Sequence, residues 1–388
     1  LGYDGRGRSV PAAEQERRAQ AGEPYVIRFR APDDGETVVR DRLRGDIAIP
    51  NSEVRDAVLL KSDGFPTYHL AVVIDDHHMG VTHIIRAEEW ISSAPLHQLL
   101  YQAFGWDVPE FIHMPLLRNP DKSKVSKRKL DTSVDSYRQQ GILPEALLNF
   151  LGNMGWSMPD GEEFFTLEQM IDHFDIDRVS LGGPVFDLKK LRHFNNHWLR
   201  NGLPLEEVAR RTAPFLEAHG YQRSDEDYLL DVVDVLRPRA ESVEELAEQA
   251  GYFFTDTVRY NEDARRQLEA GQSFLQDLER EFSRLEYFDY DDVDEVLHTY
   301  VQDQAVPMGR VLMPLRAALT GTTNAPSVTD LVAIFGRELT LARLAQALTF
   351  IDAGLPDDDP QRAIEEEKAR LAALEKSGKR SPVPSKSS

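Results

Sequence analysis

A change in the spacing of apolar residues near Ser133 constrains this chain more than any other feature. Before it, short apolar runs bounded by turn residues predict strands at 68–74, 82–86 and 111–117 and a helix over 94–104. After it, apolar residues recur at helical spacing. Strands connected by a helix are typical of a parallel α/β sheet, and these segments amount to half of one. We therefore expect half of an α/β domain followed by an array of helices.

The segments on either side of this half domain have their own patterns. Residues 1–66 contain short β-type runs separated by Gly, Pro and Asp, which predict a small α+β module. Beyond Ser133, Pro144 opens a helix, and caps and apolar faces predict six more over 204–218, 225–236, 242–253, 262–285, 306–320 and 327–350. Residues 357–388 are acidic and then rich in Ser, Pro and Lys, so we expect them to be disordered.

Length and composition exclude several classes of protein. At 388 residues the chain is long enough for about two to four domains. It contains no cysteine, which excludes disulfides, thiolate nucleophiles and cysteine-ligated zinc. No apolar run approaches the roughly 18 residues of a membrane span, and the first residues carry no export signal. A cytoplasmic protein without a membrane partner is expected.

The net charge of −21 would oppose binding to nucleic acid if it were spread evenly over the surface. The basic residues are concentrated instead. Five of the eight residues from Lys122 to Lys129 are cationic. A second group of cations consists of Lys189, Lys190, Arg192 and Arg200. An acidic body with such basic patches remains compatible with an RNA partner.

The strongest chemical signal is the loop from Lys122 to Lys129, which reads Lys-Ser-Lys-Val-Ser-Lys-Arg-Lys and follows the last predicted strand. Ligands of open α/β sheets bind beyond the carboxyl ends of the strands, where this loop begins. Its ammonium groups and hydroxyls can hold phosphate oxygens during nucleotidyl transfer. Taken alone, however, a run of lysines is more often a solvated loop or a nonspecific RNA contact.

The sequence around this loop resembles the glutamate enzymes among the class I aminoacyl-tRNA synthetases. Residues 124–128, Lys-Val-Ser-Lys-Arg, are similar to the KMSKS-type loop of that family. Further blocks follow in the family's order, at 65–71, 75–90, 113–119, 157–161, 180–187 and 314–321. The resemblance runs from Tyr3 to Phe350. It implies ATP-dependent ligation of L-glutamate to tRNA(Glu) through a glutamyl-adenylate intermediate.

By this resemblance, four residues upstream of the loop belong to the amino-acid and ATP site. Arg86 can grip a carboxylate with its bidentate guanidinium fork, and we expect it to select glutamate. Tyr68 is expected to offer its hydroxyl to the amino acid, while Glu88 and Trp90 shape the amino-acid and ATP pocket. Without the resemblance, Tyr68 and Trp90 would be assigned to packing and Arg86 to a surface ion pair.

The lysine loop is expected to hold the phosphates of ATP. Lys124 and Lys127 would stabilise the charge that builds on the leaving pyrophosphate, and Ser126 would add a hydroxyl donor. These three residues are the catalytic candidates. ATP is expected to arrive with Mg²⁺ that phosphates and water hold for the most part.

A cluster of imidazoles and carboxylates raises the question of a dedicated metal site. Its members are His69, Asp75, Asp76, His77, His78 and His83. Adjacent residues on a strand point to opposite faces, so His77 and His78 could share a metal ion only at a bend. No zinc site is therefore expected.

Two residues are candidates for contact with the anticodon. Arg316 lies in the predicted helix 306–320 and resembles the family residue that reads the third anticodon base, since a guanidinium can bond the acceptor edge of a pyrimidine. The alternative is an arginine on a helix surface. His193 stands where the family often has tryptophan, and its imidazole can still stack on a base. Val72 stands where some relatives carry asparagine near the substrate.

The resemblance implies a multidomain fold of class α/β plus all-α, with a class I Rossmann-type catalytic domain. Its segments are the remainder of an inserted α+β acceptor-binding domain (1–66), the second half of the catalytic domain (67–120), the loop and stem-contact helices (121–202), an all-helical anticodon-binding domain (203–351) and a charged tail (352–388). The family's amino-terminal part, with its HIGH-type signature, has no counterpart in the sequence. We therefore expect a monomeric fragment that is inactive by itself.

Two other functions remain open. A tRNA-modifying paralogue also activates glutamate, but it lacks the helical anticodon region that the last third of this sequence predicts. A truncated tRNA-binding protein would use the loop and the helices without chemistry. The gene sequence upstream of Leu1 would separate an enzyme from a binding protein.

Overall fold

The computed structural model describes residues 3–123, 133–221 and 225–354. The chain divides into two compact units. Unit 1 consists of Leu1–Ser133 and Pro144–Phe194, and unit 2 consists of Val134–Leu143 and Asn195–Ser388. Each unit is described by itself below.

The described residues contain six strands and fourteen α-helices. In chain order the strands are β1 Ile27–Arg28, β2 Glu36–Asp41, β3 Gly45–Pro50, β4 Val58–Leu60, β5 His83–Ala87 and β6 Glu110–Met114. The helices are α1 Ala12–Gln20, α2 Tyr68–His78, α3 Ala94–Phe104, α4 Val134–Gln139, α5 Pro144–Gly152, α6 Leu167–His173, α7 Leu188–His197, α8 Leu205–Ala218, α9 Glu226–Leu236, α10 Val243–Gln249, α11 Glu262–Arg284, α12 Tyr290–Asp303, α13 Gly309–Thr320 and α14 Val328–Asp352. A 3₁₀ helix, Glu88–Ser93, connects β5 to α3.

A four-stranded sheet organises unit 1, in the order β3-β2-β6-β5. β5 and β6 are parallel, β2 is parallel to β6, and β2 pairs antiparallel with β3. Gly45, with a φ of 73°, follows the turn between β2 and β3, where a left-handed backbone favours glycine. In the β5–β6 register Arg86 lies opposite His113, so their side chains share one face of the sheet. The sheet thus combines strands from both sides of the predicted boundary between residues 66 and 67.

The prediction of a strand at 68–74 is wrong, because these residues form the first two turns of α2. Thr67 has an extended backbone before the helix, and Gly80 follows it with a φ of 70°. Eleven residues without Gly or Pro lie between Tyr68 and His78, which is longer than most strands. α2 buries Val73 against α3, so tertiary packing selects the helix over the strand propensity of this apolar run.

The helix and the two other strands predicted for the α/β segment are confirmed as α3, β5 and β6. Pro95 lies in the first turn of α3, and Gly105 ends the helix with a φ of 71°. Leu96, Leu100 and Tyr101 are buried on one face of α3 and pack with Val73 of α2. His97 lies on this same apolar face and is 1% exposed.

The described part of the chain beyond Ser133 contains no strand, which confirms the predicted change to helices. The predicted helices from Pro144 to Phe350 correspond to α5, α8, α9, α10, α11, α13 and α14. The prediction gave no bounds for α4, α6 and α7, which lie in the segment expected to contain stem-contact helices. It missed α12, although Asp289 caps it and Val293, Leu297 and Val301 recur at the four-residue spacing of a buried helix face.

In unit 2, α11, α13 and α14 pack against one another. α11 and α13 approach closely at Gly271, where an added Cβ would lie 2.3 Å from the ring of Pro314. Arg343 of α14 is completely buried and donates to the carbonyl of Leu319 at the end of α13. These contacts fix the helix that carries Arg316.

Candidate functional site

Arg86 lies at the centre of a network of side chains at the end of β5. Its Nε donates to Nε2 of His113 at 3.1 Å. One of its terminal nitrogens, Nη1, lies 2.9 Å from Nδ1 of His97, and Nη2 lies 3.4 Å from the carbonyl oxygen of Trp90. A guanidinium has only donors, so both imidazole nitrogens must accept. The guanidinium also lies 5.2 Å from the centroid of the Phe111 ring.

The buried carboxylate of Asp41 determines which nitrogen of His113 carries the proton. Oδ2 of Asp41 lies 2.6 Å from Nδ1 of His113 and accepts from the His113 backbone N–H at 2.9 Å. Oδ1 accepts from the backbone N–H groups of Leu43 and Arg44 at 3.0 and 2.9 Å. Nδ1 of His113 therefore donates to Asp41, which leaves Nε2 as the acceptor for Arg86.

The network continues from His97 to α2. Because Nδ1 of His97 accepts from Arg86, its proton is on Nε2, which lies 2.9 Å from Nδ1 of His69. His97 thus donates to His69. The result is a continuous chain of hydrogen bonds that joins Asp41, His113, Arg86, His97 and His69.

Burial keeps the imidazoles of this chain neutral. Burial and, to a smaller extent, the charge of nearby Arg86 lower the pKa of His97 to about 3. Burial also lowers the pKa values of His69 and His113. The pKa of Arg86 is lowered by burial as well, but a guanidinium remains charged at neutral pH. Arg86 is thus the cation of this network, held by neutral nitrogens.

Two of the predicted residues flank Arg86. Tyr68, in the first turn of α2, is half exposed, and its ring centroid lies 5.0 Å from that of Trp90. The same ring lies 6.2 Å from His97. The structure therefore places Tyr68 and Trp90 beside the half-buried guanidinium of Arg86.

Glu88 accepts hydrogen bonds from Arg44 and from the backbone that follows β6. Its Oε2 accepts from Arg44 at 2.7 Å, and its Oε1 accepts from the N–H of Leu116 at 3.4 Å. Arg44 in turn donates to the carbonyl of His113 at 3.0 Å. Glu88 thus lies between the predicted site and the segment that leads to the lysine loop.

The catalytic candidates Lys124, Ser126 and Lys127 lie outside the described residues. The chain that leads to them is anchored: the N–H of Arg118 donates to Pro184 at 2.9 Å, and its carbonyl accepts from Phe186 at 2.8 Å. This pairing holds the segment that follows β6 as far as Arg118.

The two anticodon candidates lie in different units. Arg316 of α13 is half-buried, and burial lowers its pKa. Its Nε donates to the carbonyl of Pro326 at 3.1 Å, and Nη1 lies 3.3 Å from the sulfur of Met313. His193 of α7 is exposed, with its ring centroid 5.7 Å from that of Phe164.

The argument against a metal site needs a correction, because His77 and His78 lie at the end of helix α2 and not on a strand. The ring of His77 stacks on Trp106 at 3.9 Å. Within the ranges that the structure describes, no group of three or more histidine and acidic side chains could hold a metal ion.

No described helix is both long and apolar enough to span a membrane.

Sequence reasoning missed three residues that hydrogen bonds connect to Arg86, directly or through one another, namely Asp41, His97 and His113. The signals were weak. His97 occupies the apolar face of a predicted helix, where a lone histidine is usually a core residue, and His113 lies within an apolar strand. Asp41 lies 72 positions from His113, and only the sheet register brings the two together.

Two family models match consecutive parts of the chain. Residues 2–193 match the model described as tRNA synthetases class I (E and Q), catalytic domain. Residues 207–348 match the model described as anticodon binding domain. The molecule therefore combines the catalytic domain of a class I tRNA synthetase with a helical anticodon-binding domain, which confirms the predicted fold class.

Individual relatives narrow this class. The chain is 51% identical to the glutamate–tRNA ligase of Thermus thermophilus, over 89% of this chain and 74% of the relative. It is 47% identical to that of Deinococcus radiodurans, over 88% and 71%. A crystal structure of a glutamate tRNA ligase from Elizabethkingia meningosepticum in complex with its amino acid superposes with a TM-score of 0.80 at 33% identity, covering 90% of this chain and 74% of that one. The chain belongs to the glutamate–tRNA ligase family.

Proposed function

We propose that this chain serves the ATP-dependent ligation of L-glutamate to tRNA(Glu), through a glutamyl-adenylate, and that Arg86 recognises a carboxylate of the amino acid. One observation carries the proposal. The guanidinium of Arg86 has five N–H groups, of which three are directed at His113, His97 and the carbonyl of Trp90. The two that remain can form a bidentate pair with a carboxylate.

The charge of Arg86 supports the same conclusion. Among the described residues no carboxylate lies within ion-pair distance of Arg86, although the charges of Asp76 and then of Asp41 act on it. Both oxygens of Asp41 already accept from other donors. A half-buried cation without a paired anion is costly, because desolvation weakens its interaction with water. A substrate carboxylate would provide the missing charge. Glutamate, which has two carboxylates, fits this need better than its amide.

Around Arg86, the remaining predicted residues take parts in binding and activation. Tyr68 offers its phenol to the amino acid, and Trp90 and Glu88 border the amino-acid and ATP pocket. ATP binds as its Mg²⁺ complex, and Lys124, Ser126 and Lys127 hold its phosphates while pyrophosphate leaves. The family match over residues 2–193 supports this arrangement.

We further propose that residues 203–351 bind the anticodon, with Arg316 as a base-reading residue and His193 as a stacking residue on the stem-contact side. We assign the acceptor end to residues 1–66, although β2 and β3 of this segment share a sheet with β5 and β6 of the next. We expect a cytoplasmic monomer. The anticodon-domain match over residues 207–348 favours a synthetase over a paralogue without that region.

Glutamate-dependent exchange of pyrophosphate into ATP tests the role of Arg86 in the enzyme encoded by the complete gene. A hydrogen bond to a charged group contributes about 1.5–3 kcal/mol, so Arg86→Gln should raise the KM for glutamate about 10- to 150-fold. The KM for ATP should change little. Arg40→Gln removes an exposed arginine from the same sheet and is the matched control. An unchanged KM for glutamate in Arg86→Gln would refute the proposal.

A further inference from the structure

We propose that Asp41, His113 and His97 are positioning residues that aim Arg86 at the amino acid by fixing where the protons lie on the two imidazoles. This inference rests on the proposed function of Arg86. None of the three residues needs to touch the substrate. They act through two imidazole nitrogens that must accept hydrogen bonds, at 3.1 and 2.9 Å from the guanidinium.

Asp41 determines the position of the proton on His113. Its carboxylate is 4% exposed and accepts four hydrogen bonds, two from His113 and two from the turn after β2. An anion with only acceptors forces His113 to carry its proton on Nδ1. Nε2 of His113 is then a fixed lone pair opposite Nε of Arg86. If the proton moved to Nε2, two N–H groups would face each other.

His97 contacts the guanidinium of Arg86 through a different nitrogen from the one that His113 contacts. His97 is buried between α3 and the sheet and can accept from Arg86 only through Nδ1, so its Nε2 proton is directed at His69. The two imidazoles hold different nitrogens of one planar group. Hydrogen bonds at Nε and Nη1 together define the plane of the guanidinium. The remaining N–H groups are thereby aimed before a ligand arrives, which reduces the entropy lost on binding.

The surroundings of Arg86 and His97 contain few other ionisable groups. The titratable and charged groups that act on them come from α2, β2, α3 and β6: Tyr68, His69, Asp76, Asp41, Tyr101 and His113. Arg44 acts on His113. A proton added to His97 or to His113 would place a second cation beside Arg86 and remove an acceptor. Glutamate affinity should therefore fall when either imidazole becomes protonated.

Paired substitutions separate positioning from simple packing. The amide of asparagine occupies roughly the place of imidazole Nδ1, and that of glutamine the place of Nε2. His97→Asn and His113→Gln can keep an acceptor for Arg86, whereas His97→Gln and His113→Asn remove it while they keep the contact on the far side. Within each pair, we expect the acceptor-removing variant to have a KM for glutamate at least about tenfold higher, with kcat and the KM for ATP little changed.

The assay uses the enzyme from the complete gene, with exposed His173→Gln as the control. If the two members of each pair have equal KM values, the residues only pack and the inference is overturned. If Arg86→Gln has no effect on glutamate while the pairs differ, the proposed role of Arg86 fails instead. The two failures are thus distinguishable.

If the variants do not fold, a measurement on the wild-type chain still tests the proposal. ¹⁵N NMR of the histidine side chains should show His113 protonated on Nδ1 and His97 protonated on Nε2. In Asp41→Asn, the amide can present its NH₂ group to His113, and we expect a detectable shift of His113 towards protonation on Nε2. If His113 in the wild-type chain is already protonated on Nε2, or His97 on Nδ1, the proposal is wrong.

Discussion

Two arginines, one in each unit, are held by different kinds of acceptor. Arg343 of unit 2 is 0% exposed and donates to the backbone carbonyls of Leu319, Tyr252 and Thr255. Its guanidinium also lies 4.2 Å from the centroid of the Phe335 ring. Arg86 of unit 1 is only partly buried and is held mainly by side-chain nitrogens of two histidines.

The difference shows how to recognise an arginine that is built to bind a ligand. Backbone carbonyls cannot titrate or be reoriented by neighbours, and those around Arg343 come from two separate segments, at Tyr252 and Thr255 and at Leu319, which it joins. Burial lowers the pKa of Arg343 to about 10, so it remains charged at neutral pH. Both guanidiniums use three of their five N–H groups, and the unused Nε of Arg343 is buried. Arg86 is only partly buried, and its imidazole acceptors are themselves oriented by a second set of contacts. Arg343 therefore serves stability, and Arg86 serves recognition.

The largest effect should come from removing the guanidinium of Arg343. Arg343→Met leaves three carbonyls without their donor, of which that of Leu319 is fully buried. An unsatisfied buried acceptor costs about 1–3 kcal/mol, so we expect the free energy of unfolding to fall by at least that amount. Urea unfolding followed by circular dichroism should show this loss of unfolding free energy. Arg86→Met should change the unfolding free energy by no more than about 1 kcal/mol, because removing an unpaired cation also removes its desolvation cost. Equal losses would break the comparison.

Arg316 combines features of Arg343 and Arg86, and its substitution should have the second largest effect. It is half-buried and bonds to one carbonyl and one sulfur, so donors remain for an RNA base. Arg316→Gln should weaken discrimination between tRNA(Glu) and tRNA(Gln) by about 1–3 kcal/mol, by analogy with base readout in DNA. Aminoacylation of both tRNAs by the complete enzyme measures this. Unchanged discrimination would place Arg316 with Arg343 as a structural residue.

The smallest effect is a pH dependence that belongs to unit 1. The folded pKa of His97, about 3, lies below its ordinary value of 6.5, so the unfolded chain takes up a proton first as the pH falls. The stability due to neutral His97 is complete above pH 6.5 and is lost progressively as the pH falls towards 3. Between pH 6.5 and 5.5 the loss should be about 1 kcal/mol.

Denaturant unfolding at the two pH values measures this slope. His97→Asn should flatten it, and the lowered pKa values of His69 and His113 should leave part of the slope in place. The exposed His298 provides the control, and His298→Gln should retain the wild-type slope. The same slope in His97→Asn as in the wild type would show that His97 does not enter the network as a neutral group.

Local patterns in the sequence predicted most of the fold, and the failures have physical causes. α3 has an apolar face, a proline in its first turn and a glycine after its end, and its bounds agree with the prediction. The apolar run of α2, with its β-branched residues, predicted a strand, but packing against α3 stabilises a helix there. α12 begins with several acidic residues, which obscured its apolar positions four residues apart.

The candidate site was predictable only where its residues lie in recognisable blocks. Tyr68, Arg86 and Trp90 were grouped by resemblance, and they are close in space. Asp41 and His97 belong to different elements and reach Arg86 through strand register and helix packing, which local patterns do not specify. The supporting network could therefore be found only in three dimensions.

A crystal structure of the enzyme with glutamate bound tests the central claim most directly. We predict that a glutamate carboxylate accepts two hydrogen bonds from the terminal nitrogens of Arg86, at about 2.7–2.9 Å, while the contacts from Arg86 to His113 and His97 persist. A bound glutamate whose carboxylates are held by other residues, with Arg86 turned away or bonded only to the protein, would contradict the account.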